Sequence, residues 1–450
     1  MKAIASTLNW VMQGKSGVAA TIQTTFFQIV ILATNILTGM VTARILGSEG
    51  RGELAAINLW PNLIGQILAL GLGPSLLYNL KKYPTQAANL YGAVLVLGTL
   101  LGALGSAIGV GIIPMVQSQY SLQAIRYAQL FVLTTPISLL TLILLNAYRA
   151  RGLFSVVNQT NYLSPILTLG LLGGFAGTRS MTPLTGALAY RIPFLSIFIW
   201  KFVDLWRHYR PGFRNLRTSI GLLLPYAWRS AGINILSQVA DRLDQVLVVG
   251  YLDPDAMGLY VVALSVSRML SVFQSAIVTV LFPKTAARPI SEVVDLAGRA
   301  ARVNIWVSVC AAVPLMILGP MLLPFLYGPE FQEAVTVFQI LSLEIIVKGT
   351  TLIIAQVFMA VGRPGIVTLL QGVGVGLSFP LMFWLIPRFG LLGAGVALLT
   401  STTARLLFIL ICFPWVLKVD SPSLIPRWSD LQILWRTILR RSQPQSEDSR

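Results

Sequence analysis

Twelve long apolar runs, separated by Gly, Pro and charged residues, constrain most strongly how this 450-residue sequence can fold. An α-helix needs roughly 20 apolar residues to cross a bilayer, and each run is about that long or longer. The runs lie at about 18–40, 54–80, 88–114, 125–147, 153–175, 183–205, 221–250, 257–283, 303–326, 334–360, 365–387 and 391–417. We therefore predict an all-α polytopic membrane protein with about twelve transmembrane helices. The fifth and seventh runs are the least hydrophobic, so ten or eleven spans remain an alternative.

The composition excludes a soluble protein. Only 11% of the residues are charged and the mean hydropathy is +0.75, whereas about a quarter of the residues in an ordinary soluble domain carry charge. A net charge of +17 would suggest a nucleic-acid partner in a soluble domain. Here the excess Lys and Arg residues fall between the apolar runs and form no basic stripe with exposed aromatic residues. We therefore expect no nucleic-acid partner.

The distribution of Lys and Arg predicts the orientation in the membrane. With both termini in the cytoplasm, most of the 33 Lys and Arg residues lie on the inner side, as the positive-inside rule requires. The outer loops then carry Arg44, Arg51, Arg126, Arg179 and Arg388. The predicted organisation is an interfacial N-terminus at 1–17, a first lobe at 18–205, a basic cytoplasmic connector at 206–220, a second lobe at 221–417, and an amphipathic cytoplasmic tail with a polar, disordered end at 418–450.

The two halves of the sequence resemble each other. A shift of 206 residues lays Leu46 on Leu252 and Gly52 on Gly258, so the loop after the first run matches the loop after the seventh. Six helices per half is an even number, so both halves would insert with the same orientation. We expect two parallel six-helix lobes around a central cavity.

A polar stripe occurs once in each half. Residues that follow helical spacing share one face, and nearly all members of the two stripes are polar, which is unfavourable against lipid. The stripes are Thr24, Gln28, Ile31, Asn35 and Thr38 in the first run, and Ser230, Asn234, Ser237, Asp241 and Asp244 in the seventh. We expect both to face the cavity, where Gln28, Asn35 and Asn234 would contact substrate. Hydrogen bonding between helices is the alternative.

Nine ionisable residues fall within the apolar runs, where each unpaired charge costs at least about 2.5 to 3.5 kcal/mol. They are Arg191, Arg229, Arg242, Arg268, Lys348, Arg405, Asp241, Asp244 and Glu344, with a net charge of +3. Because guanidinium binds phosphate oxygens in a bidentate manner, we predict that Arg229, Arg268 and Arg405, together with Lys348, contact an anionic ligand.

Pairing is the alternative for several of these charges. Glu344 and Lys348 are four residues apart in the order that favours an ion pair, and Arg242 lies beside Asp241 and near Asp244. If they are not structural, Asp241, Asp244 and Glu344 are candidates for coupling transport to an ion.

The sequence offers little for enzymatic chemistry. His208 is the only histidine and lies in the basic connector, and Cys310 and Cys412 both lie in apolar runs, where buried packing is expected. The glycine-rich stretch 372–376 is not followed by the Lys-Ser/Thr of a nucleotide-binding loop. This stretch and the glycines of the third run predict close helix packing. We expect no enzyme, no metal and no cofactor.

Several motifs together carry a resemblance to a known family. They are TARILGSEGRGELAAINLW, RLDQVLVVGYLDPDAMGLYVVA, VLFPKTAA, FLYGPEF, VGRPGIV and LIPRFGLLGAGVA, in this order along the chain. Over roughly residues 15–417 the sequence resembles the Wzx-type polysaccharide and oligosaccharide flippases of the MOP exporter superfamily. The common fourteen-helix form of that family has two more helices at the position of the tail.

The resemblance implies alternating access by two lobes in the cytoplasmic membrane of a bacterium. The substrate would be an oligosaccharide on undecaprenyl pyrophosphate, moved from the inner to the outer leaflet for surface polysaccharide synthesis. Partners would be this lipid-linked substrate, membrane lipids and other glycan-assembly proteins, with the protein itself a monomer. The energy source and the identity of the glycan are not implied.

Four other functions compete with this interpretation. A MATE-type cation-coupled multidrug antiporter would use Asp241 and Asp244 as its ion site, although a net positive interior disfavours its cationic substrates. A lipid II flippase is a closer variant. A membrane glycosyltransferase, polymerase or ligase needs carboxylates or histidines on large extramembrane segments, and the loops here are short. A passive scaffold would not require a charged interior.

Overall fold

The computed structural model describes residues 17–285 and 288–425, which are almost entirely helical and contain no strand. Apart from short 3₁₀ and π turns, these residues form helices α1 Gly17–Leu68, α2 Leu72–Lys82, α3 Ala87–Val116, α4 Leu122–Val132, α5 Thr135–Ala150, α6 Phe154–Gly177, α7 Pro183–Tyr209, α8 Leu216–Tyr251, α9 Pro254–Ser267, α10 Ser271–Thr285, α11 Ile290–Tyr327, α12 Ala334–Ala360 and α13 Pro364–Cys412. The prediction of an all-α polytopic fold is confirmed.

Each predicted apolar run corresponds to a helix or to a broken helix. Two helices contain a non-helical glycine that separates consecutive runs: Gly47 with φ 70° in α1 and Gly390 with φ 57° in α13. The fourth run is formed by α4 and α5, which are bent by 42°. A 3₁₀ turn at Arg268–Leu270 divides the eighth run into α9 and α10. The breaks fall at glycines and at proline-rich or polar positions, where a helix loses least by bending.

Among the described residues, seven helices are long and apolar enough to cross a membrane, or up to eight if the bent α4–α5 pair is one span. Helix α1 contains the first predicted run and the beginning of the second, which continues into α2, and α13 contains most of the last two runs. The fifth and seventh runs, which form α6 and α8, are not among the seven. These are the two least hydrophobic of the predicted runs.

Small residues allow the helices of the first lobe to pack closely. A Cβ atom on Gly102 of α3 would lie 2.3 Å from the Cα atom of Pro136, and one on Gly105 would lie 2.6 Å from a methyl carbon of Leu68. Real Cβ contacts are longer, so a larger residue at Gly102 would meet the backbone of Pro136 and one at Gly105 would displace neighbouring side chains. The prediction that the glycines of this run mark close packing is confirmed.

The two lobes meet where the sequence repeat places equivalent residues. A Cβ on Gly52 would lie 1.7 Å from the carbonyl oxygen of Pro254, and a Cβ on Gly258 would lie 1.9 Å from that of Ser48. The shift of 206 residues that relates Gly52 to Gly258 also relates Ser48 to Pro254, so each contact is the counterpart of the other. Helices α1 and α9 therefore cross at a pseudo-two-fold axis. We call the contact made by Ser48, Gly52, Pro254 and Gly258 the junction.

Polar contacts reinforce the junction on one side. The backbone N–H of Ser48 donates to Glu330 Oε2 at 2.8 Å, and the Ser48 hydroxyl hydrogen-bonds Asp255. Arg44 Nε donates to the carbonyl of Leu326 at 2.9 Å, at the C-terminal end of α11. At the opposite end of the bundle, the connector between the lobes is held on α3, where Gly212 N–H donates to Ala88 O at 2.9 Å. The lobes are therefore closed at the junction end.

Candidate functional site

Two adjoining cavities lie between the lobes. Their volumes are about 380 and 400 Å³, and they share Asn35, Thr38, Arg51 and Tyr190 in their linings. The side chains come from α1, α6 and α7 of the first lobe and from α8, α9, the 3₁₀ turn, α10 and α11 of the second lobe. We call the two together the central cavity. Both lobes therefore contribute side chains to one site.

The central cavity is lined by four arginines and, among its lining residues in the described part of the chain, by no carboxylate. Arg51 and Arg191 come from the first lobe, and Arg242 and Arg268 from the second. The side chains of Arg51 and Arg191 are 9% and 5% exposed. Four fixed positive charges with no acid in the lining create a site for an anion.

Arg191 has hydrogen-bonding capacity to spare. Its Nη1 donates to Ser138 Oγ at 3.2 Å, while Nε and Nη2 have no partner in the described chain. The guanidinium carbon lies 5.9 Å from the ring centre of Phe131 and 5.3 Å from that of Phe194. A guanidinium has five N–H donors, and burying unpaired donors is unfavourable. The Arg191 side chain is therefore positioned by two rings and retains donors that the described chain does not use.

The two second-lobe arginines are also without a carboxylate partner. Arg242 Nη1 donates to Gln245 Oε1 at 3.3 Å, and Arg268 Nη2 reaches the backbone oxygen of Asp241 at 3.4 Å. The sequence-based alternative in which Arg242 pairs with Asp241 or Asp244 is therefore not the observed arrangement. Arg268 lies in the 3₁₀ turn, and this break in the helix directs it to the cavity.

The described part of the first polar stripe faces the cavity. Ile31, Asn35 and Thr38 all line it. The side chains of Gln28 and Asn234, which we predicted to contact substrate, lie outside the described residues. The interfacial N-terminus up to residue 16 and the tail from residue 426 lie outside them as well.

The structure separates the other predicted cationic residues from the central cavity. Arg229 is exposed and is absent from both linings. Arg405 is 8% exposed, and its Nη2 donates to Gln371 Oε1 at 2.8 Å. Its side chain packs on Gly374, where a Cβ would lie 2.7 Å from the Arg405 Cδ atom. Gly374 belongs to the glycine-rich stretch, so close packing there accommodates a buried guanidinium.

The carboxylates predicted to couple an ion are held by partners within the second lobe. Lys348 Nζ lies 3.2 Å from Asp241 Oδ1, so Lys348 pairs across helices and not with Glu344 four residues earlier. Tyr260 donates to Asp244 Oδ2 at 2.8 Å, and Asp244 Oδ1 has no partner in the described chain. Glu344 accepts from Thr402 at 2.8 Å. The three acids therefore lie beside the cavity and not in its lining.

Sequence reasoning missed part of the site and misplaced two residues. Arg51, assigned to an outer loop, lines the cavity because α1 resumes directly after Gly47. Cys310, expected to be buried, is exposed, since an apolar run facing lipid need not be buried in protein. Arg191 was recognised as intramembrane but not selected, although a lone arginine without a helical carboxylate partner was the available signal. No group of three His, Cys, Asp or Glu side chains that could hold a metal occurs among the described residues.

Comparisons with known proteins identify the family of the chain. A family model described as polysaccharide biosynthesis protein matches residues 41–336. The probable low-salt glycan biosynthesis flippase Agl15 of Haloferax volcanii is 23% identical over 192 residues, which is 42% of this chain and 40% of that protein. The match thus spans less than half the length of this relative.

Solved transporter structures share the fold. The lipid II flippase MurJ in an inward closed conformation superposes with a TM-score of 0.74 at 13% identity, covering 93% of both chains. An inward-facing multidrug resistance MATE transporter of the MOP superfamily gives a TM-score of 0.66 at 14% identity, covering 86% of this chain and 96% of that one. The two-lobe architecture of such transporters is therefore the fold of this protein.

Proposed function

Because the chain belongs to the polysaccharide biosynthesis protein family, we propose that it is a flippase for an oligosaccharide linked to undecaprenyl pyrophosphate. It moves this substrate from the inner to the outer leaflet of a bacterial cytoplasmic membrane, for the synthesis of a surface polysaccharide. The junction end faces outward, both termini are cytoplasmic, and the protein works as a monomer. Other glycan-assembly proteins supply and use the substrate.

One observation carries the proposal: the central cavity has four arginines and no carboxylate in its described lining. Every such substrate carries a negatively charged pyrophosphate, and guanidinium groups bind phosphate oxygens in a bidentate manner. Arg191 and Arg268 approach the pyrophosphate from opposite lobes. The lipid tail stays in the bilayer, so only the head group needs the polar interior.

Transport follows from alternating closure of the two ends. With the junction closed, the cavity is loaded from the cytoplasmic side, and opening of the junction releases the substrate outward. The carboxylates Asp241, Asp244 and Glu344 couple this cycle to an ion. Asp241 suits the role because a cation can take the place of its partner Lys348 when the second lobe moves.

The MATE-type antiporter is the second candidate in fold. Its substrates are usually cationic, and four guanidinium groups in one cavity repel a cation. A lipid II flippase carries the same pyrophosphate and differs in the glycan. The charge of the ligand that the cavity binds can therefore distinguish the antiporter from both flippases. Only the identity of the transported glycan distinguishes the two flippases from each other.

The proposal is tested by deleting the gene and measuring two pools: surface polysaccharide and lipid-linked oligosaccharide in the inner membrane. We expect loss of the first and accumulation of the second, and mass analysis of the second pool identifies the glycan. The intact gene should restore both, and the double variant Arg191→Ala/Arg268→Ala should not. Arg126→Ala, an exposed arginine outside the cavity linings, is the matched control.

Two results would contradict the proposal. Full surface export by the double variant at wild-type expression would remove these arginines from the site. Unchanged glycan pools together with increased sensitivity to cationic dyes would favour the antiporter.

A further inference from the structure

A third cavity, of about 340 Å³, opens from the central cavity into the first lobe. It shares Asn62, Ser164, Pro165 and Phe194 with the central cavity and continues to Gln66, Thr141 and Asn161. We call it the side cavity. Its volume falls within the range of roughly 300 to 1,000 Å³ that is usual for small-molecule sites.

The side cavity differs from the central cavity in charge. Its described lining contains amides and hydroxyls but no charged side chain. Two cations outside the lining contact residues of the side cavity. Lys201, which is 1% exposed, donates to the Thr160 hydroxyl, and Arg191 donates to Ser138. The side cavity is therefore a neutral polar space that adjoins the arginines of the central cavity.

Three amides form a ladder along one face of α1. Asn58, Asn62 and Gln66 are spaced by four residues, so they lie above one another. Asn58 Nδ2 donates to Leu54 O at 3.1 Å, and Asn62 Nδ2 donates to Asn58 O at 3.0 Å. Each bond uses one of the two N–H groups of its amide, so the amide oxygen remains as an acceptor and the second N–H as a donor. Asn62 is exposed to the cavity although it lies within a membrane span.

Acceptors of this kind match the hydroxyl groups of a sugar. Sugar rings are uncharged, carry many O–H donors, and present a C–H face that packs on an aromatic ring. Phe194 lines both cavities and supplies such a ring next to the ladder. An apolar lipid tail would leave the amides unpaired, and a phosphate would find no cation in the lining.

We propose that the side cavity is the sugar subsite, in which Asn62 and Gln66 accept hydrogen bonds from the first sugars after the pyrophosphate. This inference rests on the proposed function and divides the substrate between two cavities. The pyrophosphate lies among the arginines, and the neighbouring sugars lie along α1 in the first lobe. The ladder, and not the central cavity, then determines which glycan is accepted.

The test compares two probes on the full-length protein in nanodiscs. One is undecaprenyl pyrophosphate without sugar, and the other is the lipid-linked oligosaccharide isolated from the deletion strain. We expect the wild type to bind the glycan-carrying probe about tenfold more tightly, because each hydrogen bond to a neutral group contributes only a modest factor. Asn62→Ala/Gln66→Ala should abolish this preference. Gln66→Ala alone, at an amide that lines the side cavity and not the central cavity, should lower the preference and leave the Kd for the sugar-free probe unchanged within about twofold.

Three control variants make the outcome specific. Arg191→Ala should weaken binding of both probes. Ser196→Ala, a residue whose hydroxyl bonds only its own helix at Ile192 O, should change neither. Ser164→Ala provides a milder change in the side cavity if the double variant does not fold, and it should reduce the preference in part.

Each remaining outcome contradicts a specific claim. Unchanged affinities in the Asn62/Gln66 variant, or an equal loss for both probes, would overturn the sugar subsite while leaving the flippase standing. Binding of neither probe by the folded wild type would refute the proposed function, and the subsite with it.

Discussion

Replacing Gly52 by alanine should open the junction. The added Cβ would lie 1.7 Å from the carbonyl oxygen of Pro254 and 2.9 Å from the backbone nitrogen of Gly258. Neither neighbour is a flexible side chain, so the contact is relieved only if the two helices separate. Since carbon contacts are favourable near 3.5 Å, the required separation is roughly 1.5 to 2 Å.

The expected effect on the conformational equilibrium follows from this clash. Inserting a methyl group into a well-packed contact costs about 1 to 3 kcal/mol. Every 1.4 kcal/mol is a factor of ten, so the population of the closed junction should fall by about 5- to 150-fold relative to the open form. Gly258→Ala, with its Cβ 1.9 Å from Ser48 O, should have the same effect. Because both glycines belong to one contact, the double variant should cost less than the sum of the two.

The assay is a distance measurement across the junction by pulsed electron paramagnetic resonance. Spin labels replace Glu49 and Glu333, which are exposed on opposite lobes, in a background from which Cys310 and Cys412 have been removed. We expect a longer and broader distance distribution in Gly52→Ala. Gly170→Ala is the matched control, because a Cβ there would have no neighbour within 4 Å.

An unchanged distance distribution in a folded Gly52→Ala protein would refute the reasoning. It would mean that the lobes accommodate the methyl group at the junction without separating. Loss of the folded protein in Gly52→Ala but not in Gly170→Ala would instead show that the contact is needed for assembly. The milder test is then the same distance measured in Ser48→Ala, which removes the hydroxyl contacts with Asp255 and Glu330 and keeps the backbone bond to Glu330.

Two further predictions concern charges that the central cavity does not use. Lys348→Met should leave Asp241 without its partner at 3.2 Å, which should lower the stability of the protein and reduce flipping. Adding Asp241→Asn to this variant should restore the stability but no ion dependence of transport. Transport rates under different proton and sodium gradients check this, and an unaltered ion dependence in the double variant would exclude Asp241 as the coupling group. Arg405→Met should lower the melting temperature, because it removes the bond to Gln371, while the affinity for undecaprenyl pyrophosphate stays within about twofold. A loss of affinity without a loss of stability would show that Arg405 contacts the substrate.

Hydropathy predicts the helices of this protein well because the bilayer imposes the length and apolarity of each span. The repeat also relates the two glycines of the junction, since Gly52 and Gly258 are equivalent under the same shift that aligns the two halves, but their contact is seen only in the structure. Both signals are local in sequence or periodic along it. They therefore place elements in order without determining which face of each helix points inward.

The site was only partly predictable for the same reason. Asn35 and Arg268 line the cavity as expected, whereas Arg405 turns toward Gln371 and Gly374. An arginine at mid-membrane is equally conspicuous in sequence whether it faces a cavity or a glycine on the next helix. The difference lies in helix rotation, which is decided by the packing of neighbours distant in sequence.

The placement of the arginines connects substrate binding to the movement of the lobes. Arg51 and Arg191 belong to the first lobe, and Arg242 and Arg268 to the second. Without an anion, these like charges repel one another across the cavity and favour separated lobes. An anionic group bound between them neutralises the repulsion and is held from both sides. Under the proposed function, we therefore expect the pyrophosphate to draw the lobes together at the end opposite the junction, so that the junction bears the strain and opens only when the substrate is in place.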